Sequence, residues 1–302
     1  MSTLEWGRAV CYSGYREGQH PGEGIYPTYE QVKEDLEIIV NGGFKYIRMY
    51  DACDYPRTVC QVIRDNNFPL KLMLGPGNKA EVDTPGCVWN PAVYTDEEKA
   101  ARRKHNDEAI ERLISIANEY SDIVNVVSIG NENTPDWGEN TVPVERLIEF
   151  ADRLKAGTGK PVTFNEGAME WKKLGELVEH LDIISIHSYP LWYQLTIDDA
   201  LEANKKDYKE IAELYPDKQV IFTEAGWTTD TLPNAGMVVG QPNEDNQVEY
   251  YKQFWGWTDE EKIVAYMFEA FDEPWKGGQN PNESEKHWGI YYVDRTPKKV
   301  MQ

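Results

Sequence analysis

Two glutamates follow short apolar runs of this sequence. Glu132 comes just after the run Ile123 to Ile129, and Glu224 comes directly after the run Gln219 to Thr223. A carboxylate at the end of a buried strand is costly unless a functional site uses it or a partner satisfies it. Two such acids facing each other provide what retaining glycoside hydrolysis requires. One carboxylate attacks the anomeric carbon, and the other, protonated, gives its proton to the leaving oxygen.

Glu166 and Glu269 are rival carboxylates, because each of them also ends an apolar run. Position along the chain does not remove either of them from the candidates for the same chemistry. We expect them instead to pair with Arg48 or Lys276 inside the rim of the site, since a buried carboxylate needs a cationic or hydrogen-bonding partner.

Tryptophan is abundant, with ten residues in the chain, and five of these follow predicted strands. An indole ring can stack on the C–H face of a pyranose while polar neighbours take the hydroxyl groups. Several such rings on one side of a barrel favour a sugar-binding cleft over isolated core packing. The five are Trp137, Trp192, Trp227, Trp275 and Trp288.

Other catalytic chemistries have little support in the sequence. The five histidines show no His-x-x-x-His or His-x-His spacing, so we expect no metal site, and His187 is interpreted as a hydrogen-bonding residue at a strand end. The Gly-x-Ser-x-Gly, Gly-x-x-x-x-Gly-Lys and Gly-x-Gly-x-x-Gly motifs are missing, which removes the usual support for serine hydrolases, nucleotide binding and hydride transfer. No cofactor is expected.

Composition limits the partners. With 31 basic and 52 acidic side chains the net charge is −21, which repels the phosphates of nucleic acids and of anionic lipids and suits a neutral ligand. Hydrophobic residues make up 40% of the chain, as in globular proteins, and the longest apolar run, Ile263 to Phe268, is too short to span a membrane. The four cysteines match no zinc or disulfide pattern, so we expect free thiols.

Eight short apolar runs, separated by longer amphipathic stretches, predict the elements that carry these residues. Alternation of strand and helix without a Pro- or Ser-rich linker favours an α/β fold, a single (β/α)8 TIM barrel over residues 1–302, with its active site at the carboxyl ends of the strands. The last helix is the weak point, because few residues follow Thr296. The runs are Trp6 to Cys11, Tyr46 to Tyr50, Leu70 to Leu74, Ile123 to Ile129, Pro161 to Phe164, Ile183 to His187, Gln219 to Thr223 and Ile263 to Phe268.

Helix starts are marked by capping boxes, in which a Ser or Thr is followed three residues later by Glu or Gln. Thr28 with Gln31 and Thr95 with Glu98 fit this pattern, and Gly42-Gly43 is placed to end the first of these helices.

Several motifs together resemble glycoside hydrolase family 17. The resemblance implies a (β/α)8 barrel that acts on β-1,3-glucans with retention of configuration, with Glu132 as acid/base and Glu224 as nucleophile. The sequence departs from the family pattern at Thr228, where Pro is common, and in its short last helix. The motifs are Cys11-Tyr12-Ser13-Gly14-Tyr15-Arg16, Ile47-Arg48-Met49-Tyr50, Gly130-Asn131-Glu132, Thr223-Glu224-Ala225-Gly226-Trp227, Phe268 to Lys276, and His287-Trp288-Gly289-Ile290.

The same resemblance implies roles for further residues. Tyr50 would hydrogen-bond near the nucleophile, Asn131 would contact the sugar 2-hydroxyl, and Glu273 with Lys276 would form a charged support beside the acid. Four aromatic residues would line the sugar subsites: Tyr189, Trp192, Trp227 and Trp275.

The resulting expectation is an endo-acting retaining β-1,3-glucanase that cleaves laminarin-type glucans through a covalent glycosyl-enzyme intermediate. The alternatives are a β-1,3-glucanosyltransferase, which passes the same intermediate to a sugar, and a glucan-binding barrel without turnover. We expect a glucan polysaccharide or oligosaccharide as partner and a monomer. Glu5 and Arg8 interrupt any signal peptide within Met1 to Cys11, so a secreted or periplasmic location follows only from the polymeric substrate.

Overall fold

Eight parallel strands close into a barrel in the computed structural model, which describes residues 4–302. The strands follow each other around the barrel in chain order, and β1 pairs with β8 to close it. The sequence prediction of a (β/α)8 barrel with eight runs is confirmed. The strands are β1 Ala9–Cys11, β2 Tyr46–Met49, β3 Lys71–Leu74, β4 Val124–Asn131, β5 Val162–Gly167, β6 Ile183–His187, β7 Gln219–Ala225 and β8 Ala265–Met267.

Seven α-helices accompany the strands within the described residues, so the predicted strand–helix pattern is incomplete in two places. The helix after β5 is only four residues long, and the chain after β8 forms short 3₁₀ turns at Ser284–Lys286 and Lys299–Met301 instead of an eighth helix. The helices are α1 Tyr29–Asn41, α2 Tyr55–Asp65, α3 Asp96–Glu119, α4 Val144–Thr158, α5 Gly175–Val178, α6 Ile197–Leu214 and α7 Glu244–Glu261.

Local sequence explains where α1 and α3 begin. Thr28 accepts a hydrogen bond from the main-chain N–H of Gln31, and the Gln31 side chain accepts from the Thr28 N–H; Thr95 and Glu98 do the same at α3. Both predicted capping boxes are confirmed. The N–H groups at a helix start have no partner within the helix, so this reciprocal bonding stabilises the first turn.

The barrel strands are almost entirely buried, and irregular pairing near their carboxyl ends sets the direction of the site residues. The register shifts between Ser128 and Asn131 on β4, and between Ile186 and His187 on β6, where His187 comes to pair with Glu224. A bulge changes the direction of side chains relative to a regular strand. These shifts bring polar strand-end residues to the mouth of the barrel.

Buried ion pairs hold the C-terminal segment where an eighth helix would lie. Arg295 donates to both carboxylate oxygens of Asp35 on α1, at 2.7 and 2.9 Å, and Asp35 is fully buried. Lys298, also fully buried, contacts Asp272 at 2.8 Å and the hydroxyl of Thr229 at 2.8 Å. The last residues are therefore attached to the barrel by charge and hydrogen bonding.

Within residues 4–302, no helix has the length and apolar character needed to cross a lipid bilayer.

Arg295→Met should destabilise the protein, because it leaves the buried Asp35 with fewer cationic partners. Loss of one partner of a buried pair costs about 3 to 5 kcal/mol, and we expect the lower end, since Arg16 still contacts Asp35 at 2.9 Å. Urea denaturation gives the free energy of unfolding. Lys104→Met, which removes an exposed pair with Glu108, serves as the control. Equal stability of the two variants would contradict the structural role of Arg295.

Candidate active site

Glu132 and Glu224 come together at the mouth of the barrel. Glu132 directly follows β4, and Glu224 lies near the end of β7. One carboxylate oxygen from each acid and one ring nitrogen of His187 all lie within 4.8 Å of one another. Retaining glycosidases place their two carboxyl groups about 5 to 5.5 Å apart, whereas inverting enzymes leave about 6.5 to 9.5 Å for a water. The spacing suits direct attack by one carboxylate.

Glu224 is held by hydrogen bonds to both of its carboxylate oxygens. Its Oε1 accepts from Arg48 Nη1 at 2.7 Å and from the Tyr50 hydroxyl at 3.0 Å, and its Oε2 accepts from the Tyr189 hydroxyl at 2.6 Å. Burial raises the pKa of Glu224, but the charges of His187 and Arg48 and the hydrogen bonds from Tyr189 and Arg48 outweigh it and lower this pKa to about 2. Glu224 is therefore an ionised carboxylate at neutral pH.

Arg48 connects three strands beneath this carboxylate. The side chain is buried on β2; it also donates to the Thr223 carbonyl at 3.0 Å and, through Nη2, to the Asn131 side-chain oxygen. The sequence interpretation that Arg48 pairs with Glu166 or Glu269 is wrong, because its carboxylate partner is Glu224. A guanidinium has several donors in a fixed plane, which lets it fix two site residues at once.

Glu132 differs from Glu224 in access and backbone conformation. Its side chain is 30% exposed, and its Oε1 lies 2.8 Å from Nδ1 of His187. The main chain at Glu132 adopts φ 47°, a left-handed conformation that is costly for a residue other than glycine. Its N–H donates to the Asn165 carbonyl of β5 at 2.9 Å. This bond helps to hold a strained turn that presents Glu132 to the cleft.

Asparagines fix the end of β4 next to Glu132. The Asn133 side-chain oxygen accepts from the Asn131 N–H at 2.9 Å and from the Asn78 side chain at 3.3 Å, and Asn133 Nδ2 donates to the Asn140 carbonyl at 2.6 Å. Arg48 donates to the Asn131 side-chain oxygen, and Asn131 lines the cleft, so its amide N–H groups remain as donors at this point of the cleft.

The rival carboxylates, Glu166 and Glu269, are buried and do not line the cleft. Glu166 is fully buried and accepts from the Thr134 N–H at 3.1 Å and hydroxyl at 2.8 Å; burial and then the charge of Glu132 raise its pKa to about 8. Glu269 is buried against Lys276 at 2.9 Å, the partner anticipated from the sequence. Burial and the nearby Glu273 raise the pKa of Glu269 well above its usual range.

Glu273 and Lys276 form the ion pair implied by the family resemblance, and both line the cleft. Lys276 bridges Glu273 and Glu269, and its raised pKa reflects these two carboxyls together with Glu285, although burial acts in the opposite direction. The ion pair thus belongs to the loop after β8, and it lines the same cleft as Glu132.

Aromatic side chains line a cleft of about 1320 Å³ around the two acids. Trp192 is about half exposed at one wall, and Trp275 lies on the loop after β8, where its Nε1 donates to Glu273 at 3.1 Å. Tyr189 packs edge-on against Trp288 with ring centroids 5.1 Å apart. The aromatic residues of the lining are Tyr12, Tyr15, Tyr50, Tyr55, Trp89, Trp137, Tyr189, Trp192, Tyr193, Phe268, Trp275 and Trp288.

Trp227 corrects the predicted subsite set. Its side chain is 0% exposed and does not line the cleft. The indole packs against Tyr250 of α7 with ring centroids 5.5 Å apart, and the Trp227 carbonyl accepts from Gln247 of the same helix. Trp227 is therefore a core residue between β7 and α7. Its closeness to Glu224 in sequence could not reveal this, because the chain turns away from the cleft after Gly226.

The trio Glu132, His187 and Glu224 has the residue types of a small metal site. The electrostatics oppose that interpretation, because the guanidinium of Arg48 contacts Glu224 at 2.7 Å and both Glu224 oxygens already accept hydrogen bonds from protein groups. A cation at this point would compete with a fixed positive charge. The geometry suits acid/base and nucleophilic chemistry by side chains.

Two residues of the site were not recognised in their roles from the sequence. His187 was interpreted only as a strand-end hydrogen-bonding residue, and Arg48 as a partner for a rival acid, yet both contact the catalytic candidates. Their positions at the ends of predicted strands were the available signal. Which carboxylate each would meet depends on the barrel register.

Comparison with known proteins places the chain in a family. The model of the BtgE/BtgC glycoside hydrolase domain matches residues 9–289. A glucan 1,3-beta-glucosidase of Arthroderma benhamiae is 27% identical over 59% of this chain and 61% of its own length. A probable glucan endo-1,3-beta-glucosidase, btgC, of Aspergillus clavatus is 24% identical over 67% of this chain and 31% of its own length. The chain thus spans less than two thirds of either relative.

Two solved structures share the fold. An endo-laminarinase from Formosa has a TM-score of 0.79 at 23% identity, covering 98% of this chain and 85% of its own. A glycoside hydrolase family 17 β-1,3-glucanosyltransferase from Rhizomucor miehei has a TM-score of 0.74 at 19% identity, covering 97% and 96%. With the family match over residues 9–289, the resemblance found in the motifs is confirmed: the chain belongs to the BtgE/BtgC glycoside hydrolase domain family, within glycoside hydrolase family 17.

Proposed function

We propose that this protein is an endo-acting retaining β-1,3-glucanase that cleaves laminarin-type glucans. The observation that carries the proposal is the approach of Glu132 and Glu224 within 4.8 Å in an aromatic-lined cleft. The names of similar proteins, glucan endo-1,3-beta-glucosidase and endo-laminarinase, support the substrate class. The presence of both acids argues against a binding protein without turnover.

In the first step Glu224 attacks the anomeric carbon. The new bond joins a Glu224 carboxylate oxygen to that carbon, the glycosidic C–O bond breaks, and the Glu132 proton passes to the leaving oxygen. The low pKa of Glu224 suits the nucleophile, which must be ionised. Glu132 suits the acid because its side chain is accessible from the cleft, where the leaving sugar must lie.

In the second step water replaces the enzyme at the anomeric carbon. Glu132 takes a proton from the attacking water, and the Glu224 carboxylate departs with the electrons of its bond to carbon. Hydrogen bonds from Arg48, Tyr50 and Tyr189 stabilise the carboxylate as its charge returns. Configuration is retained because two displacements occur at the same carbon.

Substrate binding is proposed to use both arcs of the barrel mouth. Trp275 follows β8 on one arc, while Trp137 and Trp192 follow β4 and β6 on the other. A chain stacked on both sides of the acids would be cut internally, which supports endo action. The free amide nitrogen of Asn131 is suited to the sugar 2-hydroxyl.

Glucanosyl transfer is the second candidate, and the same cleft supports it. The exposed rings of Trp137 and Trp192 provide a surface on which an acceptor sugar, instead of water, could approach the intermediate. The Rhizomucor miehei transferase covers nearly the whole chain in the structural comparison. Products longer than the starting oligosaccharide distinguish transfer from hydrolysis.

We further propose a domain organisation, an oligomeric state and a location for the protein. Residues 1–302 act as one catalytic domain; Met1 to Thr3 in this range lie outside the described residues. We propose a monomer, because every group assigned to the reaction comes from one chain. The polymeric substrate favours action outside the cytoplasm, in a secreted or periplasmic setting.

Glu224→Ala should abolish turnover, by on the order of 10⁴-fold or more, because no nucleophile remains. Azide, added together with an activated aryl β-laminaribioside, should restore the reaction. The product should be a glycosyl azide of α configuration, identified by NMR. Glu176→Ala, on the exposed side of α5, is the matched control and should retain activity. Full activity of Glu224→Ala would remove this residue from the nucleophile role.

Arg48→Met should move the acid limb of the pH profile of kcat/KM to higher pH. In the native site the lowered pKa of Glu224 keeps the nucleophile ionised down to about pH 2. Without the guanidinium, its charge and its hydrogen bond no longer lower the pKa of Glu224; this pKa rises, so the active fraction is lost at a higher pH as acid is added. Arg48→Lys keeps the charge and should shift the limb less. An acid limb at the same pH in all three proteins would contradict this electrostatic role.

A further inference from the structure

His187 lies between the two carboxylates that the proposed function uses. It ends β6, and its side chain is buried. Its Nδ1 is 2.8 Å from Oε1 of Glu132 and 3.6 Å from Oε2 of Glu224. Only the first distance is within hydrogen-bonding range. The imidazole therefore bonds to the acid and passes near the nucleophile without bonding to it.

Among the described residues, the other ring nitrogen makes no hydrogen bond that competes with the contact to Glu132. Nε2 is buried and has no hydrogen-bond partner among residues 4–302. With a proton on Nδ1, in either the neutral or the charged ring, the 2.8 Å contact is a hydrogen bond donated to Oε1 of Glu132.

A ring without a proton on Nδ1 would hold the acidic proton of Glu132 in the wrong direction. With Nδ1 unprotonated, the contact at Oε1 would require a proton on that oxygen of Glu132, directed at the imidazole. The proton would then lie in the bond to His187 and not toward a leaving group in the cleft. Donation from Nδ1–H has the opposite effect, because it engages Oε1 as an acceptor and leaves the acidic proton to Oε2.

We propose that His187 is a positioning residue for Glu132: its Nδ1–H fixes the rotation of the carboxyl group and makes Oε2 the oxygen that delivers the proton to the glycosidic oxygen. This inference rests on the proposed glycosidase function. The Glu132 main chain is fixed by the bond to Asn165, but its partly exposed side chain needs its own anchor. After proton transfer, the same N–H stabilises the Glu132 carboxylate that serves as base in the second step.

Leaving-group dependence tests this role. Proton donation matters for a sugar leaving group and little for 2,4-dinitrophenolate, which departs without a proton. We expect His187→Leu to lower kcat/KM, which reports the first step alone, by about 100-fold on a laminarioligosaccharide, the lower end of a general-acid contribution, and by only a few-fold on a dinitrophenyl β-laminaribioside. His187→Asn, whose amide can place an N–H near the Nδ1 position, should recover most of the lost activity.

The controls separate positioning from folding. Glu132→Gln sets the reference for loss of the acid, and His180→Leu, at a partly exposed pair with Asp152, controls for loss of a histidine. If His187→Leu does not fold, His187→Ala is measured in its place. Equal losses on the two substrates in a folded His187 variant, or no loss on the oligosaccharide, overturn the proposal.

Failure of the inference differs from failure of the proposed function. If the native protein hydrolyses neither substrate, the proposed function fails and the role of His187 fails with it. If Glu132→Gln shows the leaving-group dependence and the folded His187 variant does not, the glycosidase function stands and only the positioning role is lost.

Discussion

The contact between the buried Arg48 guanidinium and the Glu224 carboxylate organises the mouth of this barrel. Burial disfavours an isolated charge of either sign, so each of these groups is tolerated because the other lies 2.7 Å away. The same guanidinium donates to the Thr223 carbonyl and to the Asn131 side chain. It therefore connects β2, β4 and β7 next to Glu224. Glu224 held in this way is ionised and cannot rotate freely, which suits the nucleophile role that we propose for it.

Four glutamates near this contact differ in their pKa values and in their exposure to the cleft. Glu224 has charged and hydroxyl donors and a low pKa; Glu166 is buried near another acid and has a raised pKa; Glu269 depends on Lys276. Glu132 alone of these four is partly exposed. Differences in environment thus suit Glu224 and Glu132 to the nucleophile and acid roles that we propose, without any change of residue type.

Much of the fold could be predicted from the sequence because its signals are local. Each strand is a short apolar run, and the capping boxes at Thr28 and Thr95 depend on residues three positions apart. The four-residue helix α5 and the replacement of an eighth helix were harder to foresee. The contact of Arg295 with Asp35 joins residues from opposite ends of the chain, so no local pattern encodes it.

The candidate site shows the same division between local and distant information. The strand-end positions of Glu132 and Glu224 pointed to the cleft, since all parallel strands end on one side of the barrel. The interior position of Trp227 and the contact of His187 with Glu132 depend on side-chain direction after register shifts in β4, β6 and β7. Sequence spacing alone does not contain that information.

The proposed role of Glu224 as nucleophile can be tested by covalent trapping, because the trapped sugar identifies the residue that attacked it. The native protein is incubated with an activated 2-deoxy-2-fluoro-β-laminaribioside, whose glycosyl-enzyme forms faster than it hydrolyses, and the digest is mapped by mass spectrometry. We expect one sugar per chain, attached to Glu224. Attachment to Glu166 or Glu269, or turnover with inverted configuration and no adduct, would contradict it.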